Sequence, residues 1–272
     1  MIMNNTSTHI RGMEDLLEDV QNHKYIAAIF DIDGTLIDSM PIWEDLDADF
    51  LKTQGIELSE HEKKELNETM WSMTVDEGIR YLKKTYQLEL SEEAIGKALS
   101  DVVEQFYTDE VPAKQDVAGL VEALHDAGVP MALATVGEPS YETAALKRLG
   151  LFDYFDSMHD CNSLGTTKRE ARIYETAAKL LLGGEGESAN SAAGESEPAS
   201  SSAQAAESAA TSESALEAES AAESNASVLV IEDVLHALEA AKQAGFTTVA
   251  VEDAASAKDK DRILDVSDYY LS

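Results

Sequence analysis

The chain has 272 residues, 44% of them hydrophobic, and a formal net charge of −33 at pH 7. Because so acidic a surface repels polyanions, we expect neither nucleic acids nor anionic membranes as partners. No apolar run reaches the length of about 20 residues that spans a bilayer, and no signal peptide pattern is expected. The single cysteine, Cys161, excludes a disulfide within the chain, and together these features predict a cytoplasmic protein.

The first predicted elements are a short helix and a buried strand. Apolar residues at helical spacing between Met13 and Val20 predict the helix, and the uncharged run YIAAIF, which ends at Phe30, predicts the strand. The strand is followed directly by Asp31 and Asp33 and then by a Gly-Thr turn. Because like charges destabilise each other at the tip of a buried strand, we expect them to have a function there.

Residues 40–110 are predicted to be helical throughout. Ser59 with Glu62 and Thr74 with Glu77 form the paired pattern that starts helices, and no strand pattern lies between the predicted helices. We therefore predict a small α-helical domain, 40–110, inserted after the first strand between two core segments, 1–39 and 111–272. Trp43 and Trp71 are expected in the core of this small domain, although Trp43 also follows the Asp31 turn closely.

Strand and helix patterns alternate through the rest of the chain. The runs VPMALAT, YFDSMHD, SVLVIED and FTTVAVED predict strands, each separated from the next by a helical pattern, and VSDYYLS predicts a further short strand. This alternation is typical of an α/β fold with a Rossmann-like parallel sheet and helices on both of its faces.

One segment of the core does not fit this alternation. Residues Gly183 to Ser227 are rich in Ser, Ala and Glu and contain no Lys, Arg or aromatic residue. Such a segment cannot bury enough apolar surface to offset the entropy lost on ordering. We therefore predict a disordered insertion, 183–227, within the core.

Polar residues follow several of the predicted strands. Ligands of open parallel sheets bind beyond the carboxyl ends of the strands, so residues at those ends are candidates for a common site. The candidates are Asp31 and Asp33 after the first strand, Thr135 after the second, Lys168 beyond the third, and Glu232 and Asp233 after the fourth.

This candidate set predicts a magnesium site that binds a phosphorylated ligand. Four carboxylates cannot remain ionised together without a counter-charge, and oxygen ligands without a Cys or His cluster favour Mg²⁺. Magnesium commonly also contacts a phosphate oxygen. Lys168 can neutralise the charge of a phosphoryl group, and Thr135 can donate a hydrogen bond to one of its oxygens.

These motifs resemble those of the haloacid dehalogenase-like phosphohydrolases. The resemblance rests on the sequence DIDGT, which begins at Asp31, on Thr135 and Lys168, and on the sequence IED, which ends at Asp233, all in the order that the family shows. The predicted helical domain resembles the α-helical cap of this family. The resemblance implies a Mg²⁺-dependent phosphatase that hydrolyses a small phosphorylated metabolite through an aspartyl-phosphate.

The resemblance also implies a role for each candidate. Asp31 would be the nucleophile, and Asp33 would be the general acid and then the general base. Mg²⁺ would be bound by the carboxylates of Asp31 and Asp233 and by the backbone carbonyl of Asp33. The remaining residues would support the site: Thr135 and Lys168 would hold the phosphoryl group, Glu232 would orient a water of the metal or Lys168, Gly34 would permit the sharp turn, and Thr35 would steady it.

Other interpretations of the same residues remain open at this stage. A phosphomutase that resembles β-phosphoglucomutase would have the same scaffold. Such relatives have a histidine about where Trp43 stands, so its absence here disfavours this interpretation. A non-catalytic phosphate-binding or interaction protein would not need both Asp31 and Asp33. Glu232 and Asp233 could also serve only to cap the following helix. The sequence does not indicate the natural substrate or the oligomeric state.

Overall fold

The computed structural model describes residues 10–70, 73–183 and 224–272. The predicted disordered insertion, 183–227, therefore lies outside the described residues except at its two ends, and the disorder stays a prediction. Trp71 also lies outside the described part of the chain.

A parallel sheet forms the centre of the fold. Its strands are β1 Ala27–Phe30, β2 Met131–Thr135, β3 Ser157–Asp160, β4 Val228–Glu232, β5 Thr247–Val251 and β6 Tyr269–Leu271. They lie in the order β3-β2-β1-β4-β5-β6, and every neighbouring pair is parallel. The residues of β1, β2 and β4 are all buried, as expected for apolar strands that helices cover on both sides.

Helices pack on both faces of the sheet. Successive side chains of a strand point to opposite faces, so Ala28 and Phe30 of β1 join one apolar core and Ala27 and Ile29 join another. The predicted α/β fold is confirmed. Three helices contribute to the first core: Met13–Gln21, Gln115–Asp126 and Pro139–Arg148. Two contribute to the second: Arg172–Leu181 and Leu235–Gln243. A short helix, Cys161–Leu164, follows β3, and another, Lys260–Val266, precedes β6.

A group of helices lies between β1 and β2 in the chain. These helices have an apolar core of their own, which includes Phe50, Leu66 and Leu82. Both predicted helix-start pairs are present, as Ser59 with Glu62 and Thr74 with Glu77. The elements, called the cap helices below, are Met40–Thr53, Glu60–Met70, Val75–Thr85 and Glu92–Gln105, and a π-helical turn, Phe106–Glu110, follows them.

The boundaries of the two predicted domains, at residues 39–40 and 110–111, stay a prediction. Trp43 differs from its prediction as a core residue, because 46% of its surface is exposed. It lies in the first turn of its helix, about two turns before the buried residues Ala48, Phe50 and Leu51. Within the described ranges, no helix combines the length and the apolar character needed to cross a membrane.

Candidate active site

The strand register brings the predicted acidic residues together. β1 and β4 are neighbours in which Phe30 pairs with Ile231, so Asp31 and Glu232 follow side by side at the same edge of the sheet. The backbone N–H of Asp31 continues this pairing by donating to the carbonyl oxygen of Ile231 at 3.0 Å. Residues separated by two hundred positions in the sequence thus become neighbours because both strands are parallel and end at one edge.

Asp31, Glu232 and Asp233 form a compact group of carboxylates. One oxygen from each lies within 4.8 Å of the others, and the three residues are 5%, 0% and 2% exposed. Burial, followed by repulsion from Glu232, raises the pKa of Asp31 well above its usual value. The same two causes raise the pKa of Asp233 to about 7. Both shifts show that burial and the neighbouring carboxylate disfavour the ionised forms of these two residues.

Lys168 supplies the positive charge within the group. It lies between the helices Cys161–Leu164 and Arg172–Leu181, and its ammonium donates to Asp31 Oδ1 and contacts Glu232 Oε1 at 2.6 Å. Burial alone would lower the pKa of Lys168, but the attraction of Asp31 and Glu232 outweighs it and raises the pKa above its usual value. The single positive charge of Lys168 does not balance three carboxylates, so the group can bind a further cation.

The two oxygens of Glu232 have different surroundings. Oε1 accepts a hydrogen bond from the buried Tyr174 hydroxyl at 2.8 Å and also contacts Lys168. Oε2 is buried and has no hydrogen-bond partner among the described residues. A buried carboxylate oxygen without a donor, in a group of oxygen-only ligands, fits a hard divalent cation such as Mg²⁺.

The turn after β1 is shaped around Asp233. Gly34 has a φ of +80°, and a Cβ atom placed on it would lie 2.7 Å from Asp233 Oδ2, so only glycine fits there. The Thr35 hydroxyl donates to Asp233 Oδ1 at 3.2 Å, which explains its presence in the turn. The interpretation of Asp233 and Glu232 as helix caps is wrong, because helix Leu235–Gln243 receives no side-chain cap at its start.

The Asp33 side chain lies apart from the acidic group. Its Oδ1 accepts hydrogen bonds from the Ser39 hydroxyl at 2.6 Å and from the Tyr107 hydroxyl at 2.7 Å. Burial and the Asp33 carboxylate raise the pKa of Tyr107 above its usual value, so that this hydroxyl remains a proton donor. Neither Ser39 nor Tyr107 was predicted as a site residue.

Thr135 contacts another residue that sequence reasoning missed. Its hydroxyl donates to Glu142 Oε1 and accepts from the backbone N–H of Gly137 at 2.8 Å. Glu142 is 0% exposed, and burial, followed by the nearby Asp33 carboxylate, raises its pKa to about 8. A signal was present in the sequence, since Glu142 lies on the same helix face as the buried Ala145 and Leu146.

Comparison with known proteins identifies the family. A sequence model of the family described as haloacid dehalogenase-like hydrolase matches residues 26–193, and the chain therefore belongs to this family of hydrolases. Hexitol phosphatase B of Escherichia coli is 29% identical over 163 residues, which cover 57% of this chain and 69% of that protein. Phosphoglycolate phosphatase of Rhodobacter capsulatus is 29% identical over 162 residues, which cover 57% and 70%.

A solved structure supports the fold. The crystal structure of a proposed β-phosphoglucomutase from Thermotoga maritima matches with a TM-score of 0.65 and 21% identity over 90% of this chain and 93% of that one. At this identity the similarity shows the fold alone. The family and the fold predicted from the sequence motifs are confirmed, and so is the prediction of a hydrolase.

Proposed function

We propose that this hydrolase is a Mg²⁺-dependent phosphatase that cleaves a small phosphate monoester through an aspartyl-phosphate on Asp31. The observation that carries the proposal is the position of Asp31, buried between Lys168 and the carboxylates of Glu232 and Asp233. A carboxylate in such a position is useful only where a cation and an anionic substrate balance the charges around it.

The proposed reaction has two displacements at phosphorus. In the first, an Asp31 oxygen forms a bond to phosphorus while the bond to the leaving oxygen breaks, and Asp33 gives its proton to that oxygen. In the second, a water oxygen bonds to phosphorus while Asp33 takes a proton from the water. The bond between phosphorus and Asp31 then breaks, which releases inorganic phosphate and restores both aspartates.

The carboxylates of Asp31 and Asp233 and the backbone carbonyl of Asp33 would hold Mg²⁺, with Glu232 beside them. The cation would supply positive charge that lets a phosphate anion approach the Asp31 carboxylate. Lys168 would offset the remaining phosphoryl charge while keeping Asp31 oriented. The close fit of Gly34 against Asp233 supports Asp233 as a ligand, and the unpartnered Oε2 of Glu232 would accept a hydrogen bond from a water of the cation.

Thr135 would hold the phosphoryl group together with the backbone of the loop that follows it. In the structure its single hydroxyl proton is directed to Glu142. A phosphoryl oxygen would therefore have to compete with Glu142 for this proton, or accept instead from loop N–H groups. The exposed Trp43 would lie at the substrate entrance.

The names of the two curated relatives support a small phosphorylated metabolite as the substrate, because one is a hexitol phosphatase and the other a phosphoglycolate phosphatase. The phosphomutase alternative gains no support, since the similarity to the Thermotoga maritima structure concerns the fold alone. The cytoplasmic location and the lack of a nucleic-acid partner stay predictions from composition.

The test is hydrolysis of p-nitrophenyl phosphate by the wild type and by Asp31→Asn, with Mg²⁺ and with a chelator. We expect turnover only in the wild type with Mg²⁺, and a loss of at least about 1,000-fold in the variant, since a nucleophile cannot be replaced by its amide. Asp116→Asn is a matched control, because Asp116 is exposed and is not a member of the carboxylate group. Equal rates for the wild type and Asp31→Asn would contradict the proposal.

A further inference from the structure

Tyr107 is a residue outside the sheet that bonds to the proposed acid and base, Asp33. Its ring is buried, with 3% of the residue exposed, and its hydroxyl donates to Asp33 Oδ1 at 2.7 Å. It belongs to the π-helical turn Phe106–Glu110, which ends directly before Val111, the first residue of the predicted second core segment. Short π-helical segments are rare and often occur at functional sites.

The hydrogen bonds of Asp33 distinguish its two oxygens. Oδ1 accepts from both the Ser39 and the Tyr107 hydroxyls, so its lone pairs are occupied. The proton of an acidic Asp33 must then reside on Oδ2. This oxygen faces the loop after β2 and the Glu142 carboxyl beside that loop, because a Cβ atom placed on Gly137 would lie 2.8 Å from Asp33 Oδ2 and 2.9 Å from Glu142 Cδ. Oδ2 is thus on the side where the phosphoryl group would bind.

Contacts with the core fix the position of Tyr107. The guanidinium of Arg148, at the end of helix Pro139–Arg148, donates to the carbonyl oxygens of Thr108 at 2.8 Å, of Tyr107 at 3.4 Å and of Val111. The Tyr107 ring also lies 6.3 Å from that of Tyr141, in the first turn of the same helix. The π-helical turn is therefore held at both its backbone and its aromatic face.

We propose that Tyr107 is a positioning residue that holds the Asp33 carboxyl with Oδ2 directed at the leaving oxygen of the substrate. The inference rests on the proposed phosphatase function and adds to it a residue of the segment that joins the cap helices to the core. Ser39 supplies the second bond from the other connecting segment. With both donors in place, the carboxyl cannot rotate about its own axis without losing two hydrogen bonds.

The role of Tyr107 concerns one step of the reaction. When the bond between phosphorus and the leaving oxygen breaks, the proton on Asp33 Oδ2 passes to that oxygen, and Asp33 becomes a carboxylate. A p-nitrophenolate is a weak base and leaves without this proton, whereas a phenolate is a stronger base and needs it. A misdirected Asp33 therefore slows cleavage of phenyl phosphate much more than that of p-nitrophenyl phosphate.

The experiment compares kcat/KM of the wild type and Tyr107→Phe on these two aryl phosphates at saturating Mg²⁺. This ratio includes only the steps up to departure of the leaving group. We expect Tyr107→Phe to lose about 10-fold on phenyl phosphate and less than about 2-fold on p-nitrophenyl phosphate, since the variant lacks a hydrogen bond that strengthens as Asp33 becomes a carboxylate. A purely structural role would lower both values equally.

Tyr141→Phe is the matched control. Tyr141 stacks near Tyr107, but its hydroxyl lies 3.1 Å from Ser100 Oγ and not at Asp33, so we expect equal and small changes on both esters. Equal losses on the two esters in Tyr107→Phe, or a selective loss in Tyr141→Phe as large as that in Tyr107→Phe, would overturn this inference alone. A wild type that hydrolyses neither ester would overturn the proposed function and this inference with it.

Discussion

The buried charge at the sheet edge leads to a prediction for Lys168→Met, which keeps a long apolar side chain but removes the ammonium. Lys168 is 4% exposed and contacts the carboxylates of Asp31 and Glu232, which are buried as well. Removing one partner of a buried ion pair costs about 3–5 kcal/mol, because the other charges remain buried without compensation. At about 2–4 °C per kcal/mol, the melting temperature should fall by roughly 6–20 °C.

The assay is thermal unfolding of the wild type and Lys168→Met in a chelator and in millimolar Mg²⁺. We expect Mg²⁺ to stabilise the variant more than the wild type, because the cation partly replaces the lost charge. Lys242→Met is the control, since Lys242 pairs with Asp268 at the surface, where an ion pair contributes about 0–1 kcal/mol. If Lys168→Met and Lys242→Met have the same melting temperature, the site is not a charge-compensated cluster.

Two further predictions concern the turn after β1 and a half-buried carboxyl of the cap helices. In Gly34→Ala the new methyl group displaces Asp233, so the Mg²⁺ concentration for half-maximal activity should rise about 10-fold or more. Gly55→Ala is the control, because Gly55 has the same φ of +80° but no atom within 4 Å of an added Cβ, and it should lose only about 1–2 kcal/mol of unfolding free energy through backbone strain. A similar Mg²⁺ dependence in both variants would contradict the close fit of Gly34 against Asp233. Burial raises the pKa of Asp47 to about 6. The ionisation of Asp47 therefore opposes folding as the pH rises from about 4 to above 6. Asp47→Asn should be more stable than the wild type by on the order of 1–2 kcal/mol at pH 8 and equal to it at pH 4. Denaturant unfolding of both proteins at both pH values measures this difference in unfolding free energy. A difference that does not change with pH would contradict the raised pKa of Asp47.

The sheet and the acidic residues at its edge could be predicted because they depend on local patterns. An uncharged run such as β1 is buried on both faces, and parallel strands end at the same edge whatever the details of packing. Asp31, Glu232 and Asp233 therefore had to meet once the strand pattern was recognised. Lys168 and Thr135 followed from the same reasoning.

The hydroxyl and carboxyl partners of these residues could not be predicted in the same way. Tyr107 and Tyr174 belong to apolar helix faces, and a tyrosine there serves packing equally well whether or not its hydroxyl meets a carboxylate. Glu142 was visible only as a polar residue in a buried stripe. Trp43 was misjudged because an apolar side chain is not always buried, and much of the surface of a folded protein is apolar.

If Asp31 carries the phosphoryl group during the reaction, the covalent intermediate can be trapped on its side chain. Asp33→Asn should accept the phosphoryl group of p-nitrophenyl phosphate, because this leaving group needs no proton, but should release it slowly because the attacking water lacks a base. After a rapid quench and borohydride reduction, mass spectrometry of the peptides locates the acyl phosphate. We expect modification at Asp31 in the presence of Mg²⁺ and at no other carboxylate. Modification of another residue, or steady turnover by Asp33→Asn without any trapped species, would contradict this role of Asp31.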